Sequence, residues 1–187
     1  MRILTGIAKG IKLKTTNNNS IRPTTDRTKE SLFNILEHNP IYKKIEKKRV
    51  LDLFSGTGSL GIEALSRGAQ YCVFVDNNNE SIALIEENLK ACNLYSKAKI
   101  IRKDVKSFRK MNSFGVFDII FADPPYNENY SDLIIKLSIE EGLIKKNGFI
   151  VIEESKNVSI NWPNNYEIIT ERVYAKTKIH IAMLKEV

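Results

Sequence analysis

Four residues in the middle of the chain, Asp123-Pro124-Pro125-Tyr126, combine the groups needed to alkylate an aromatic amine. The lone pair of such an amine is delocalised into its ring, so removing a proton gains little; the nitrogen has to be held pyramidal. Two acceptors aimed at its two N–H bonds would do this, here the Asp123 carboxylate and the Pro124 carbonyl. The prolines stiffen the turn that aims these acceptors. Tyr126 offers a flat face to a base taken out of its helix, a contact worth roughly 1–3 kcal/mol in single-stranded recognition. A proline turn that only closes a strand is the plain alternative.

A second cluster, Asp52-Leu-Phe-Ser55-Gly56-Thr-Gly58-Ser-Leu-Gly61, reads as a strand ending in a glycine turn that opens a helix. Glycines allow a ligand close to the backbone, and a helix start offers unpaired N–H groups. The spacing matches the dinucleotide fingerprint, and Asp76, followed by Asn77, ends the next strand about 20 residues on, where a carboxylate can accept ribose hydroxyls. A nucleotide-like cofactor is therefore expected at Asp52, Ser55, Gly56, Gly58, Asp76 and Asn77. These residues alone do not separate a nicotinamide from S-adenosylmethionine.

Asp104, followed by Val105, ends a further strand. Its carboxylate can accept an adenine amino group or cap a helical turn over 105–109, and both readings stay open. Lys97, Lys99, Arg102, Lys103, Lys106, Arg109 and Lys110 surround it, either as a solvated face or as an auxiliary nucleic-acid contact. His38 and His180 have no further ligands at metal spacing, so no metal is expected. Cys72 and Cys92 fall within a strand and a helix and read as buried free thiols.

The elements that must position these groups alternate. Strands are predicted at 50–54, 71–76, 98–102, 117–122 and 148–154, and helices from Thr25 or Asp26 to near Asn39-Pro40, to about Arg67, over 79–92 and over 130–139. Short apolar strands alternating with helices predict a doubly wound α/β fold with a mostly parallel sheet. The last two strands, 166–174 and 177–185, are separated only by Ala175-Lys176, which permits an antiparallel hairpin and excludes a helical crossover. Residues 1–14 read as a short basic hairpin. One catalytic α/β core, 25–187, with an arm, 1–24, is the expected organisation of a single domain.

The length of 187 residues suits one core, and 42% hydrophobic with 27% charged residues is ordinary for a globular chain. No apolar run reaches the roughly 20 residues needed to span a bilayer, and the amino terminus lacks a signal-like apolar region, so a cytoplasmic protein is expected. Residues 1–49 hold 12 Lys/Arg against 4 Asp/Glu, net +8, leaving 17 against 18, net −1, for the rest. A basic amino-terminal end favours a polyanionic partner, although biased genome composition can produce the same excess.

Three stretches carry a resemblance: Arg22-Pro-Thr24-Thr-Asp-Arg27-Thr-Lys-Glu-Ser-Leu-Phe-Asn34, Leu51 to Ala69, and Phe121 to Tyr126. Together they resemble the bacterial 16S ribosomal RNA guanine-N2 methyltransferase family of the RsmD type over essentially the whole chain. The first stretch is the most specific, because the glycine loop and DPPY also occur in other amino-methyltransferases. The resemblance implies a Rossmann-like class I methyltransferase with seven strands and an antiparallel carboxyl-terminal hairpin. It also implies S-adenosylmethionine, with the methionine part near Gly56 to Gly58, ribose at Asp76, adenine near Asp104 and Val105, and Arg22 to Thr24 approaching the cofactor. The target guanine N2 would lie at Asp123 and Pro124. Lys9, Lys12, Lys14, Arg22 and Arg27 would hold 16S rRNA or an assembling small ribosomal subunit, and the enzyme would act as a monomer. The family's glycine after Tyr174 is absent, Ala175 standing there. An adenine-N6 DNA methyltransferase, a non-catalytic RNA-binding assembly factor and an oxidoreductase remain as rivals.

Overall fold

Runs such as Val50-Leu-Asp-Leu53 and Ile119-Ile-Phe-Ala122 are apolar on both sides of the pleat, which suits strands covered on both faces. The computed structural model describes residues 1–15, 26–38, 45–107, 114–125 and 129–185. Its strands are β1 Arg49–Leu53, β2 Tyr71–Asp76, β3 Ala98–Arg102, β4 Phe117–Ala122, β5 Ile144–Ser155, β6 Tyr166–Tyr174 and β7 Thr177–Leu184. The helices are α1 Asp26–His38, α2 Ser59–Ser66, α3 Asn79–Ala91 and α4 Tyr130–Glu140. The strands form one seven-stranded sheet in the order β3-β2-β1-β4-β5-β7-β6. β1 to β5 pair in parallel, and β7 runs antiparallel to both β5 and β6. The expected seven strands and terminal hairpin are both present.

Each face of the sheet has its own core. Val50, Phe74, Ile119 and Phe121 pack against Leu32 and Phe33 of α1, Ile62 and Leu65 of α2, and Ile85 and Leu89 of α3. Leu51, Val73, Ile120 and Ile150 pack against Ile134 and Ile135 of α4. The Phe33 and Phe121 rings meet at 5.7 Å, and both are fully buried. Burial of a side chain of that size contributes about 1.5–3 kcal/mol. Cys72 and Cys92 are buried and unbridged.

β5 starts four residues before its predicted position at Gly148. Lys145-Lys-Asn-Gly148 reads as a turn, but it is absorbed as an irregularity. Phe117 pairs with Ile144 and Ile119 pairs with Phe149, so the intervening polar residues bulge out of the ladder. The Lys145 ammonium donates to both oxygens of the Asp118 carboxylate at 3.0 Å, and Arg49 N donates to Asp118 Oδ2 at 2.8 Å. The bulge is pinned across three strands.

The amino-terminal arm folds back on itself through a bridge between Arg2 and Lys12. It is held by its main chain. Glu63 of α2 accepts from Leu4 N at 2.8 Å and Thr5 N at 3.0 Å, and Ser66 Oγ accepts from Ala8 N at 3.0 Å. The same Glu63 carboxylate sits 3.1 Å from Lys29 Nζ and 2.9 Å from Arg67 Nε. Lys29 also donates to Arg2 O at 2.7 Å. Lys29 and Glu63 are fully buried. Burial lowers the Lys29 ammonium below its ordinary value, with Glu63 opposing the shift. A buried pair of this kind survives because each charge is matched and hydrogen-bonded.

Among the described residues no helix is long and apolar enough to cross a membrane.

Candidate active site

β1 and β4 lie side by side, and the chain leaves them in opposite directions, through β2 and β3 on one side and β5 on the other. Such a reversal opens a crevice outside the carboxyl ends of the two strands. Leu53 is paired with Val75 on one side and Ala122 on the other, so Phe54, Asp76 and Asp123 emerge in one row. Asp76 and Asp123 are two strand spacings apart, about 9.6 Å. Asp123 is half-buried and Pro124 buried. Asp123 and Pro124 therefore lie at the mouth of the crevice.

The glycine loop enters through a sharp bend. Phe54 has φ 55°, a left-handed conformation that bulky residues avoid. Its ring meets Tyr130 edge-on at 4.8 Å, which offsets part of that strain. Gly58 caps α2 with φ 78°, and a Cβ there would meet Ile62 Cδ1 at 3.2 Å and Ile85 Cγ1 at 3.3 Å. At Gly61 a Cβ would fall 2.4 Å from Phe74 Cε1 and 2.7 Å from Cys72 Sγ. Only glycine lets α2 rest this closely on β2.

Two acidic side chains hold the loop, and a third, Asp104, follows the neighbouring strand β3. Asp52, at the end of β1, is 3% exposed and accepts from Gly61 N at 2.9 Å. Burial lifts its carboxyl to about 8; the Gly61 hydrogen bond works against this and the nearby Asp76 charge adds to it. Asp76 accepts from Gly56 N at 2.8 Å and from Asn78 N at 2.9 Å, one bond to each oxygen. Each of its oxygens keeps a second lone pair. Asp104 is exposed, and its Oδ1 accepts from Lys106 N at 2.8 Å, the capping arrangement for the turn Val105–Ser107. Val105 is buried in the α4-side core.

Ser55 is committed to the framework. Its hydroxyl donates to Asp52 O at 2.6 Å and accepts from Val75 N at 2.9 Å. Asn77 is exposed beside Asp76. Lys9, Lys12, Lys14 and Arg27 are also exposed. Thr24, Arg22 and Tyr126 lie outside the described residues, as do Arg109, Lys110 and the Asn39-Pro40 break. Around Asp104, Lys99 lies 4.5 Å from the Phe114 ring centroid and Lys106 4.7 Å from that of Tyr130. His180 is buried on β7 with Nδ1 2.6 Å from Glu171, while the exposed His38 shares Nδ1 with Asn34 O at 2.8 Å. Among the described residues no cluster of three or more metal-binding side chains occurs.

Asn88 and Glu63 were missed by sequence reasoning. Both tie the arm to the helices beside the glycine loop, and both occupy inward positions of amphipathic helices. A polar residue on an otherwise apolar helical stripe was the available signal.

The family model described as Conserved hypothetical protein 95 matches residues 1–183. Ribosomal RNA small subunit methyltransferase D of Buchnera aphidicola subsp. Acyrthosiphon pisum is 36% identical, over 91% of this chain and 86% of that protein. The protein of the same name from Haemophilus influenzae is 34% identical, over 92% and 88%. The chain belongs to the RsmD family. Among solved structures, yhhF of Escherichia coli superposes with a TM-score of 0.85 at 28% identity, covering 99% of this chain and 98% of that one. A hypothetical protein of Thermus thermophilus gives a TM-score of 0.80 at 28% identity over 100% and 99%. The fold is that of the class I methyltransferases. The crevice between β1 and β4 is the place where this RsmD-family fold brings the glycine loop, Asp76 and Asp123 together.

Proposed function

We propose that the chain transfers a methyl group from S-adenosylmethionine to the exocyclic N2 amine of a guanine in 16S ribosomal RNA, during assembly of the small ribosomal subunit. The observation that carries this reading is the common row of Asp76 and Asp123 across β2, β1 and β4. It sets an acceptor for ribose hydroxyls about two strand spacings, ~9.6 Å, from an acceptor for an amine. The relatives named ribosomal RNA small subunit methyltransferase D support the substrate.

The crevice suits such a cofactor better than a dinucleotide. The N–H groups of Gly56 and Gly61 are already taken by Asp76 and Asp52. In a pyrophosphate-binding loop these donors would face the ligand, and the Asp76 carboxylate at the mouth of the loop would repel it. Hydroxyl, amino and cationic groups meet acceptors here. S-adenosylmethionine, when bound, supplies an electrophilic methyl group on a sulfonium. Gly56, Gly58, Asp76 and Asn77 would hold its methionine and ribose parts, with Asp52 and Ser55 fixing the loop behind them. Asp104, Val105 and Thr24 would complete the adenine side.

The chain's own contribution is positioning. Asp123 and the Pro124 carbonyl accept the two amine hydrogens and hold the nitrogen pyramidal, and Tyr126 stacks on the extruded base. The exocyclic proton leaves after the C–N bond has formed, when the nitrogen is strongly acidic. Lys9, Lys12, Lys14, Arg22 and Arg27 hold phosphates. In this reading the enzyme works as a cytoplasmic monomer of one domain and needs no metal.

The test supplies labelled methyl donor with naked 16S rRNA, unmodified small subunits and duplex DNA in parallel, and maps the product by nuclease digestion and mass spectrometry. We expect N2-methylguanine in rRNA, and Asp123→Ala to abolish methylation while calorimetry still detects cofactor binding. Methylated adenine in DNA, or wild-type protein that binds RNA but not the cofactor, would overturn the proposal.

A further inference from the structure

A second depression, of about 580 Å³ and with Ile35 in its floor, lies outside the crevice between the outer face of α1 and the edge strand β6. Arg27, Glu30, Ser31, Asn34 and His38 line one wall and Arg172 the other. Arg172 pairs with Ile179, and Ile179 pairs with Glu153, the residue after Ile152, which is the partner of Ala122. Arg172 thus stands in the row of Asp123, three strand spacings away, about 14 Å.

The two residues also share a face. Ile179, opposite Arg172, and Phe121, two residues before Asp123, both belong to the core beneath α1. Alternation along a strand then directs Arg172 and Asp123 to the α1 side. Tyr174, at the end of β6, donates its hydroxyl to Ser31 of α1 at 2.6 Å. This bond ties the first half of α1 to the carboxyl-terminal edge of the sheet, and Arg27 lies one turn nearer that edge. Arg172 thus sets one wall of the depression in the row that ends at Asp123.

Its charge has no internal match. Other cations nearby are paired: Arg2 with Asp26, Lys14 with Glu87, and Arg67 with Glu63 and Glu37. Neither Arg27 nor Arg172 has an ion-pair partner among the described residues, and both are exposed. Two guanidiniums against the single Glu30 carboxylate leave a surplus of positive charge in a wide, open channel. Guanidinium forks match phosphate oxygens two at a time.

We propose that this groove holds the phosphodiester backbone of the RNA strand flanking the target nucleotide, with Arg27 and Arg172 as phosphate-binding residues. The proposal rests on the reading of the chain as an RNA methyltransferase. It adds a contact on the side of the crevice away from the β3 edge.

The test measures binding of a naked 16S rRNA transcript at several KCl concentrations for wild type, Arg172→Gln and Arg172→Glu, with thermal midpoints to confirm folding. Loss of one phosphate contact should flatten the slope of log affinity against log salt by about 0.7 for single-stranded RNA. Arg172→Glu should raise KM for the RNA substrate about tenfold while kcat and cofactor affinity stay at the wild-type level, as expected for a contact that binds substrate and transition state equally. Wild-type salt slope and KM in both variants would overturn the proposal. A loss seen only with assembled subunits, and not with naked RNA, would also overturn it, by assigning the groove to a ribosomal protein. Failure of the wild type to methylate any rRNA would refute the parent reading, whereas the salt slopes would still decide the groove.

Discussion

Asn88 grips Lys14 through both main-chain groups, accepting its N–H at 2.7 Å and donating to its carbonyl at 3.1 Å. Its remaining amide hydrogen goes to Thr57 O, in the glycine loop, at 3.0 Å. One buried carboxamide therefore joins the end of the arm to the glycine loop. Asn88→Leu keeps the volume and removes all three bonds, leaving buried main-chain groups unmatched. We predict a loss of about 2–3 kcal/mol in chemical denaturation, together with weaker cofactor binding in calorimetry. Unchanged cofactor affinity would show that the loop holds its shape without this tie.

Asp52 makes stability depend on pH in an unusual direction for a carboxyl. Its folded value of about 8 lies above the ordinary 3.8 because burial disfavours the charged form. Between these values the folded chain binds the extra proton, so the contribution is complete below about pH 4 and is lost as pH rises through about 8. The expected slope from this group approaches ~1.4 kcal/mol per pH unit inside that window. Asp52→Asn should flatten the difference, and denaturation midpoints of the two chains from pH 5 to 8 would measure it. Parallel curves would mean that Asp52 is ionised throughout.

Ala175 occupies the first position of the β6–β7 hairpin with φ 51°. A left-handed alanine costs roughly 1 kcal/mol relative to glycine, partly offset by the greater freedom of an unfolded glycine. Ala175→Gly should therefore stabilise the chain by about 0.5 kcal/mol, a rise of a few degrees at most in thermal midpoint. Destabilisation would show that the turn relaxes around alanine.

Glu63 is the shared anion of two buried cations, so removing its charge differs from removing one cation. Glu63→Gln leaves Lys29 without a carboxylate partner and is expected to cost about 3–5 kcal/mol. Lys29→Met leaves Glu63 with Arg67 and the amides of Leu4 and Thr5, and should cost distinctly less. Equal urea midpoints for the two variants would contradict this ranking.

The legible part of the molecule was the part governed by local pattern. β2 and β4 occupy the residues their apolar runs predict, since a strand covered on both faces must be largely apolar, and the edge strand β3 keeps its predicted bounds although Lys99 and Arg102 are exposed. The places of the glycine loop and of Asp123 were legible because each follows such a strand directly. The start of β5 was not, because Lys145 to Gly148 carry turn residues and are drawn into the sheet by the cross-strand partner Asp118. The docking of the arm was hidden for a similar reason: Glu63 and Asn88 lie 58 to 74 residues from the arm's main-chain groups that they hold, and no local period reports such a bond. Arg172 acquires its place in the row of Asp123 only through the register of three strand pairings.

The arm is fastened by peptide groups, not by the lysines it displays. Leu4, Thr5, Ala8 and Lys14 are caught at their N–H groups by Glu63, Ser66 and Asn88, while the side chains of Lys9 and Lys12 point to solvent. Attachment and recognition are thereby uncoupled: the outward residues of this segment can be rewritten, by evolution or by an engineer retargeting the enzyme, without loosening its mooring.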